Sequence, residues 1–212
     1  IKKKNLKKIK NKSLVKITIQ FAEQLKFLDN IILSSDSIKI LNETRKTSCN
    51  QYKRPNKLSG DRVSDYKLIK DILASYNKFD YLLYLQPTSP FRTKKEIIFA
   101  LRRIINENAH GIWSVTNVNK KFHPKKILKI KKKKYLEPYM KEGKKIIARQ
   151  QLDKIFIRNG IFYIFSIKEI RKQKTIYLRK TLFHEINYKY YNIDDLSDLT
   201  NSRKLFREWK LN

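Results

Sequence analysis

The chain has 212 residues, enough for one large domain or one domain with an arm, and its 41% apolar and 12% aromatic content can bury a sizeable core, which excludes wholesale disorder. Its 50 Lys+Arg against 19 Asp+Glu leave a net charge of +31, far beyond what solubility needs and suggestive of a polyanionic partner. Heavy use of Lys, Asn and Ile beside few Gly and Pro also fits an AT-rich coding sequence, which loads lysine onto any tolerant surface, so charge alone names no function.

Taken in chain order, helical and extended patterns alternate. Ser13 is placed to cap an amphipathic helix carrying Leu14, Ile17, Phe21, Ala22 and Leu25, after which residues 30–34 read as a buried strand. Ser35-Asp36 opens a second short helix. Arg54-Pro55 marks a loop, because the residue before proline avoids helix, and residues 63–76 return to helical spacing with Leu68, Ile69, Ile72 and Leu73. Residues 81–85 form a continuous apolar run that suits a central parallel strand, ended by Gln86-Pro87-Thr88-Ser89-Pro90. Thr93 caps a helix to about Asn108, and residues 111–118 are another strand. Beyond Pro124 apolar and basic residues alternate up to the block Lys131–Lys134, the pattern of an edge hairpin guarded by lysines. Residues 160–165 and 187–193 read as strands, and Asp194-Asp195 precede a last amphipathic helix with Leu199, Leu205, Phe206 and Trp209. The rhythm is that of a three-layer α/β sheet, whose functional loops lie at the carboxyl ends of strands.

Several chemistries are excluded. The glycines Gly60, Gly111, Gly143 and Gly160 permit neither G-x-G-x-x-G nor G-x-x-x-x-G-K-[ST]. Cys49 and the dispersed His110, His123 and His184 cannot make a Cys/His zinc site. No apolar run approaches the roughly 18 residues of a membrane span, and Ile1-Lys2-Lys3-Lys4 leads into more lysines rather than a signal-peptide core, so a soluble cytoplasmic protein is expected. The start at Ile rather than Met is read as a sign that an N-terminal piece precedes it.

The segment from Leu85 to Arg92, L-Q-P-T-S-P-F-R, brackets hydroxyl and amide side chains with two prolines at a strand end, where open α/β sheets bind ligands. It resembles the L-Q-P-T-S-P-[LF]-R signature of the acylneuraminate cytidylyltransferases, the CMP-sialic acid synthetase family. The resemblance continues through Lys4-Asn5-Leu6 (the family's K-N-L), Leu33-Ser34-Ser35-Asp36 (V-S-T-D), and Arg54-Pro55 with Leu58, Asp61 and Ser64 (R-P-x-x-L-x-x-D-x-x-S). It extends to His123-Pro124, Arg149-Gln150-Gln151-Leu152 and Arg158-Asn159-Gly160-Ile161-Phe162-Tyr163, and so covers essentially the whole chain.

That resemblance implies a mixed, mostly parallel three-layer sheet of the nucleotide-diphospho-sugar transferase type (Rossmann-like), in one domain over residues 1–212. A dimerisation arm over about 120–152 would make the protein a homodimer. It implies transfer of CMP from CTP to the anomeric hydroxyl of an acidic nine-carbon 2-keto acid sugar with Mg2+, releasing pyrophosphate, or the same reaction on legionaminic or pseudaminic acid. It assigns Lys4, Arg54 and Asp194 to catalysis, and Lys4, Asn5, Arg54, Asp61 and Ser64 to the nucleotide. Gln86, Thr88, Ser89, Arg158, Asn159, Gly160 and Tyr163 fall to the sugar, and Asp194 with Asn192 to the metal.

Three departures accompany the match. The family's loop A-R-x-x-S-K-G would lie immediately before Ile1. Its metal-binding D-x-D is here Asn192-Ile193-Asp194, read as a strand whose alternation sets both side chains on one face, with Asp195 a substitute ligand across a bulge. Arg62 stands where Thr or Ser is usual. A degenerate, non-catalytic homologue binding polyanions is the rival reading, although no RNP, KH or zinc-knuckle pattern supports nucleic acid as the partner.

Overall fold

The computed structural model describes residues 3–60, 62–76 and 78–209. Asp61, expected at the nucleotide, therefore lies outside the described residues. The chain divides into two compact units, one of Ile1–Ser114, Asn159–His184 and Tyr188–Asn212, the other of Val115–Arg158 and Glu185–Asn187.

The first unit opens with a minimal hairpin, β1 (Lys8–Ile9) and β2 (Lys12–Ser13). Ser13 then caps α1 (Leu14–Glu23), its side chain accepting from Lys16 N at 3.0 Å, as its position before an amphipathic run predicts. Next come β3 (Ile32–Ser35), α2 (Ile38–Leu41) and β4 (Asn50–Lys53), with β3 and β4 pairing in parallel from Ile32↔Asn50 to Ser35↔Lys53. Ser64 caps α3 (Asp65–Ser75), β5 (Tyr81–Tyr84) follows, and Thr93 caps α4 (Lys94–Asn106).

β6 (Gly111–Asn117) leads into the second unit, where β7 (Leu128–Lys131) and β8 (Tyr135–Pro138) form an antiparallel hairpin. β9 (Phe156–Ser166) returns, followed by α5 (Ile167–Gln173), β10 (Thr181–Glu185) and α6 (Leu196–Glu208).

Four strands pair in the order β10-β6-β9-β5. Tyr163 and Phe165 of β9, with Leu82 and Tyr84 of β5, pack under Ile69 and Leu73 of α3 and Ile170 of α5. On the other face Phe162 contacts the His184 ring at 5.4 Å, and that imidazole is hydrogen-bonded to Glu96 of α4. Helices thus cover both faces, the three-layer arrangement that the alternating pattern called for. A separate cluster joins Phe91 and Ile193 to Leu14 and Ile17 of α1 and to Leu199 and Phe206 of α6.

Two expectations are corrected. β5 is not a parallel strand paired on both sides: it runs antiparallel to β9, from Tyr81↔Ser166 to Tyr84↔Tyr163, and among the described residues β9 is its one neighbour. An apolar run reports burial of both faces and says nothing of strand direction. Residues 187–193 are irregular rather than a strand. Their tyrosines have high β propensity, but Tyr188, Tyr190 and Tyr191 lie against the Phe91 cluster, and tertiary packing overrides propensity there.

In the second unit the hairpin register places Leu128 opposite Pro138 and Ile130 opposite Leu136 on one face, with Lys129 opposite Glu137 and Lys131 opposite Tyr135 on the other. Lys132 and Lys133 make the turn with φ of 49° and 56°, the left-handed region that a tight hairpin demands and that lysine adopts only under strain.

Candidate functional site

Four segments of the first unit converge at the carboxyl end of β5. The turn after the strand is held first by Arg92, whose side chain is almost wholly buried (1% exposed). Its Nε donates to Ile161 O at 2.6 Å, Nη2 donates to Gln86 O, and Nη1 reaches Thr18 Oγ1 at 3.4 Å. Burial pulls the guanidinium pKa down from its ordinary value, so these acceptors are what keep the charge tolerable there. One cation thereby fixes the spacing between β5, β9 and α1.

The second segment is the bend at the start of the buried part of β9. Asn159 is 1% exposed; its Oδ1 lies 2.5 Å from Ser114 Oγ and accepts from Ile161 N at 3.2 Å. Gly160 follows with φ +69°, and a Cβ there would collide with Gln86 Oε1 and lie 2.9 Å from Ser89 Oγ. Glycine is required for the backbone angle and for the approach of the Gln86–Ser89 turn alike. Tyr163 closes the bend, its hydroxyl accepting from Gly160 N at 3.0 Å, while its ring stacks with Tyr84 at 6.4 Å. Burial, with Asp65 adding to it, holds the Tyr84 phenol well above the usual tyrosine range, and its hydroxyl donates to Asp65 Oδ1 at 3.1 Å.

The third segment is Asn192–Asp194. Ile193 N donates to Thr88 O at 2.9 Å, and Ser89 Oγ donates to Asn192 Oδ1 at 2.8 Å. The fourth is the 3-10 turn Lys4–Leu6, where Lys4 Nζ pairs with Asp194 Oδ1 at 2.9 Å. Close to these, Asn5, Ser35, Asp36 and Arg54 stand together on the polar lining of one cleft, Arg54 donating to Ser34 O at 3.0 Å.

Lys4, Asn5, Arg54, Gln86, Thr88, Ser89, Asn159, Gly160, Tyr163, Asn192 and Asp194 are thus all in the first unit, on the segments just described. The geometry departs from expectation at four points, two of them among these residues and two at Ser64 and Asp195. Asn159 and Tyr163 are buried parts of the bend rather than open contacts. Ser64 caps α3, accepting from Lys67 N at 3.4 Å. Asn192 shares no strand face with Asp194, because the segment is irregular, and its oxygen is engaged by Ser89. Asp195 is the N-cap of α6, accepting from Asp198 N at 2.8 Å and from Ser197 Oγ at 2.7 Å, so the bulge that would turn it toward a metal is not formed. Arg158 is exposed and belongs to the second unit.

Sequence reasoning assigned no role to Arg92, Ser114 or Asp65. Arg92 closes the L-Q-P-T-S-P-F-R segment directly after the fully buried Phe91, and its place in that segment is the one signal the sequence offered. For the metal, no cluster of three or more His, Cys, Asp or Glu exists among the described residues. The donor set is one exposed carboxylate, Asp194, suited to a cation that takes its other ligands from phosphate and water.

The family profile described as Cytidylyltransferase matches residues 1–208. The N-acylneuraminate cytidylyltransferase of Escherichia coli O18:K1:H7 (strain RS218 / NMEC) is 25% identical over 249 residues, covering 99% of this chain and 59% of its own length. That of Streptococcus agalactiae serotype III (strain NEM316) is 24% identical over 193 residues, covering 90% and 46%. The chain thus spans about half the length of the curated relatives it matches. Among solved structures, CMP:2-keto-3-deoxy-manno-octonic acid synthetase complexed with CTP superposes with a TM-score of 0.68 at 11% identity, over 98% of this chain and 93% of its own. The 4-diphosphocytidyl-2C-methyl-D-erythritol synthase of Anaerococcus prevotii DSM 20548 gives 0.64 at 13%, over 96% and 93%. The fold is the α/β fold of these nucleotidyltransferases.

Proposed function

This chain belongs to the cytidylyltransferase family, and on that premise we propose that it transfers CMP from CTP to the anomeric hydroxyl of a nine-carbon 2-keto acid sugar of the N-acylneuraminate type, releasing pyrophosphate. The observation that carries the reading is the convergence at the end of β5. Lys4 with Asp194 and the Gln86–Ser89 turn are tied to one another through Ile193–Thr88 and Asn192–Ser89, and Arg54 with Asn5 lines the neighbouring cleft mouth. A triphosphate needs cations, which Lys4 and Arg54 supply, and Asn5 adds a neutral polar contact for the nucleoside. The sugar falls to Gln86 and the edge of the turn, whose position Gly160, Ser89 and the buried Arg92 fix; positioning of this kind is what an in-line displacement requires. The relatives named for N-acylneuraminate favour that sugar over legionaminic or pseudaminic acid.

Mg2+ fits Asp194, whose carboxylate is exposed, and an ion held there supplies charge neutralisation to the triphosphate. Lys4 must then exchange its partner from Asp194 to phosphate. The hairpin of the second unit, with Leu128, Ile130 and Leu136 exposed on one face, suits an arm that pairs in a homodimer. The lone cysteine, Cys49, is free and suits a reducing cytoplasm, and among the described residues no helix is long and apolar enough to cross a membrane.

The test is pyrophosphate release from CTP, with the nine-carbon and the eight-carbon keto acid sugars supplied in parallel. Release is expected with CTP and the nine-carbon acid, and Asp194→Asn should slow it on the order of 100-fold. Equal release with ATP, or without sugar, would overturn the assignment.

A further inference from the structure

Residues 55–64 form the loop from β4 to α3 and follow directly on Arg54, the cation assigned to the triphosphate. None of the described residues among them is buried, and a Cβ on Gly60 would meet nothing within 4 Å. The loop bonds chiefly to itself: Leu58 N donates to Pro55 O at 2.9 Å, Ser59 N to Asn56 O at 3.0 Å and Val63 N to Gly60 O at 3.0 Å. Among the described residues its hydrogen bonds to the sheet lie at its two ends. Arg54 makes the first, its N donating to Ser35 O at 2.9 Å and its Nη2 to Ser34 O at 3.0 Å. Asp65 makes the second, accepting from the Tyr84 hydroxyl at 3.1 Å. An exposed loop without an apolar anchor takes its position from such ties.

An acid in the first turn of a helix is usual, because the helix dipole favours it there, but the dipole asks only for charge and not for a partner 19 positions away. The body of α3 is held separately, Asp71 accepting from the Tyr52 hydroxyl at 2.6 Å and Ile69 with Leu73 packing in the core. The Asp65–Tyr84 bond therefore governs the first turn of α3 and the end of the loop. Tyr84 lines the cleft beside Arg54, and the guanidinium acts on the phenol against the upward pull of burial and Asp65, so the three groups stand in one electrostatic neighbourhood. The ring of Tyr84 has a different duty. It stacks on Tyr163, whose hydroxyl accepts from Gly160 N in the bend that shapes the Gln86–Ser89 turn.

On the reading that CTP binds beside Arg54 and the sugar at the turn, we propose that Tyr84 and Asp65 are positioning residues that serve the two substrates through different atoms. The hydroxyl, fixed by Asp65, holds the loop after Arg54 for the nucleotide. The ring, stacked on Tyr163, holds the bend for the sugar.

The experiment measures kcat and the KM for CTP and for the nine-carbon acid in Tyr84→Phe, Tyr84→Leu, Asp65→Ala and Asp65→Asn, with amide hydrogen exchange of each protein without substrates. Tyr84→Phe keeps the ring and loses the hydroxyl. It should raise the KM for CTP about 10-fold, leave that for the sugar in place, and quicken exchange at Leu58, Ser59 and Val63 by a similar factor. Tyr84→Leu should raise both KM values, and Tyr84→Phe answers the question even where Tyr84→Leu does not fold. Asp65→Ala should match Tyr84→Phe and add nothing to it in the double variant. Asp65→Asn, whose amide oxygen still accepts from the phenol, should recover most of the loss. A lower urea midpoint with both KM values unmoved would overturn the proposal by making the pair merely structural. Asp65→Asn as impaired as Asp65→Ala would overturn it too, since charge and not the bond would then matter. Absence of pyrophosphate release in the wild type would sink the assigned reaction instead, and exchange still decides the pair: unchanged rates at the three loop amides in Tyr84→Phe would refute it.

Discussion

The turn around Arg92 in the first unit and the lysine hairpin of the second hold positive charge in opposite ways. In the hairpin, Lys129 and Lys131 share one carboxylate, Glu137, at 3.4 and 3.1 Å, with both ammonium groups more than half exposed. Water screens such pairs, and removing one changes little. Arg92 is single, buried and bonded to three oxygens on three different elements. The charge that dominates the composition is therefore solvated, whereas the charge that shapes the site is hidden among aromatic and aliphatic neighbours. Net charge describes what a surface attracts, and only burial shows which cation holds a fold.

The largest effect that follows is at Arg92. Arg92→Ala strands Ile161 O and Gln86 O without a donor inside the protein, and should cost about 3 kcal/mol, read as a fall in the urea midpoint at unchanged slope. Arg92→Lys should recover little of this, because an ammonium lacks the planar fork that reaches both carbonyls. A loss no greater than that of a hairpin lysine would erase the contrast between the two regions. Next is Gly160→Ala, which forces φ +69° on an L-residue and drives Gln86 and Ser89 away; about 2 kcal/mol is expected, with a greater proportional loss of cytidylyl transfer than of stability. Full activity in this variant would separate the bend from the site.

Much of this architecture was legible in the sequence, and the rest failed for identifiable reasons. Ser13 and Thr93 were readable as caps because each precedes an apolar run of period 3.6, and both act so. The irregular polar turn after β5 was readable from its two prolines and clustered hydroxyls. β4, Asn50-Gln51-Tyr52-Lys53, escaped because it is mostly exposed and carries no apolar alternation. β10 escaped because residues 187–193 offered a stronger β signal nearby, a contest that packing of the tyrosines decided. The pairing of Asn192 with Ser89 spans 103 positions, and no local pattern encodes which hydroxyl a distant amide will meet. Nor does any spacing rule reveal that Arg92 is buried while its lysine neighbours in sequence, Lys94 and Lys95, are not.

The hairpin carries its strain in the backbone rather than in its charges, and that sharpens the contrast from the other side. Lys132 and Lys133 both occupy the left-handed region, where Asn and Gly are at ease. Lys132→Asn combined with Lys133→Gly should therefore stabilise the hairpin by about 1 kcal/mol although it removes two cations. Urea titration followed at the hairpin's own amides is the measurement, and destabilisation would mean that the lysines contribute more than their exposure suggests.

The smallest effect concerns Asp195, which sits beside the carboxylate assigned to Mg2+ but is committed to α6. The Asp198 N–H, with help from Ser197, holds its pKa below the ordinary 3.8. A folded-state pKa below the unfolded one means stability that is complete above about 3.8 and is lost as pH falls through the folded value. Asp195→Asn keeps a capping oxygen but cannot titrate, so the wild type should hold a small advantage near neutral pH that fades on acidification below 3.8. Urea midpoints for the two proteins at neutral pH and at successively lower pH measure it. Because Asp195 caps the helix while Asp194 is the residue proposed to meet the ion, Asp195→Asn should leave the Mg2+ concentration for half-maximal rate unchanged, whereas Asp194→Asn should raise it. A stability difference independent of pH, or a Mg2+ requirement that moves with Asp195 instead, would transfer the metal role one residue along and break the division between cap and ligand.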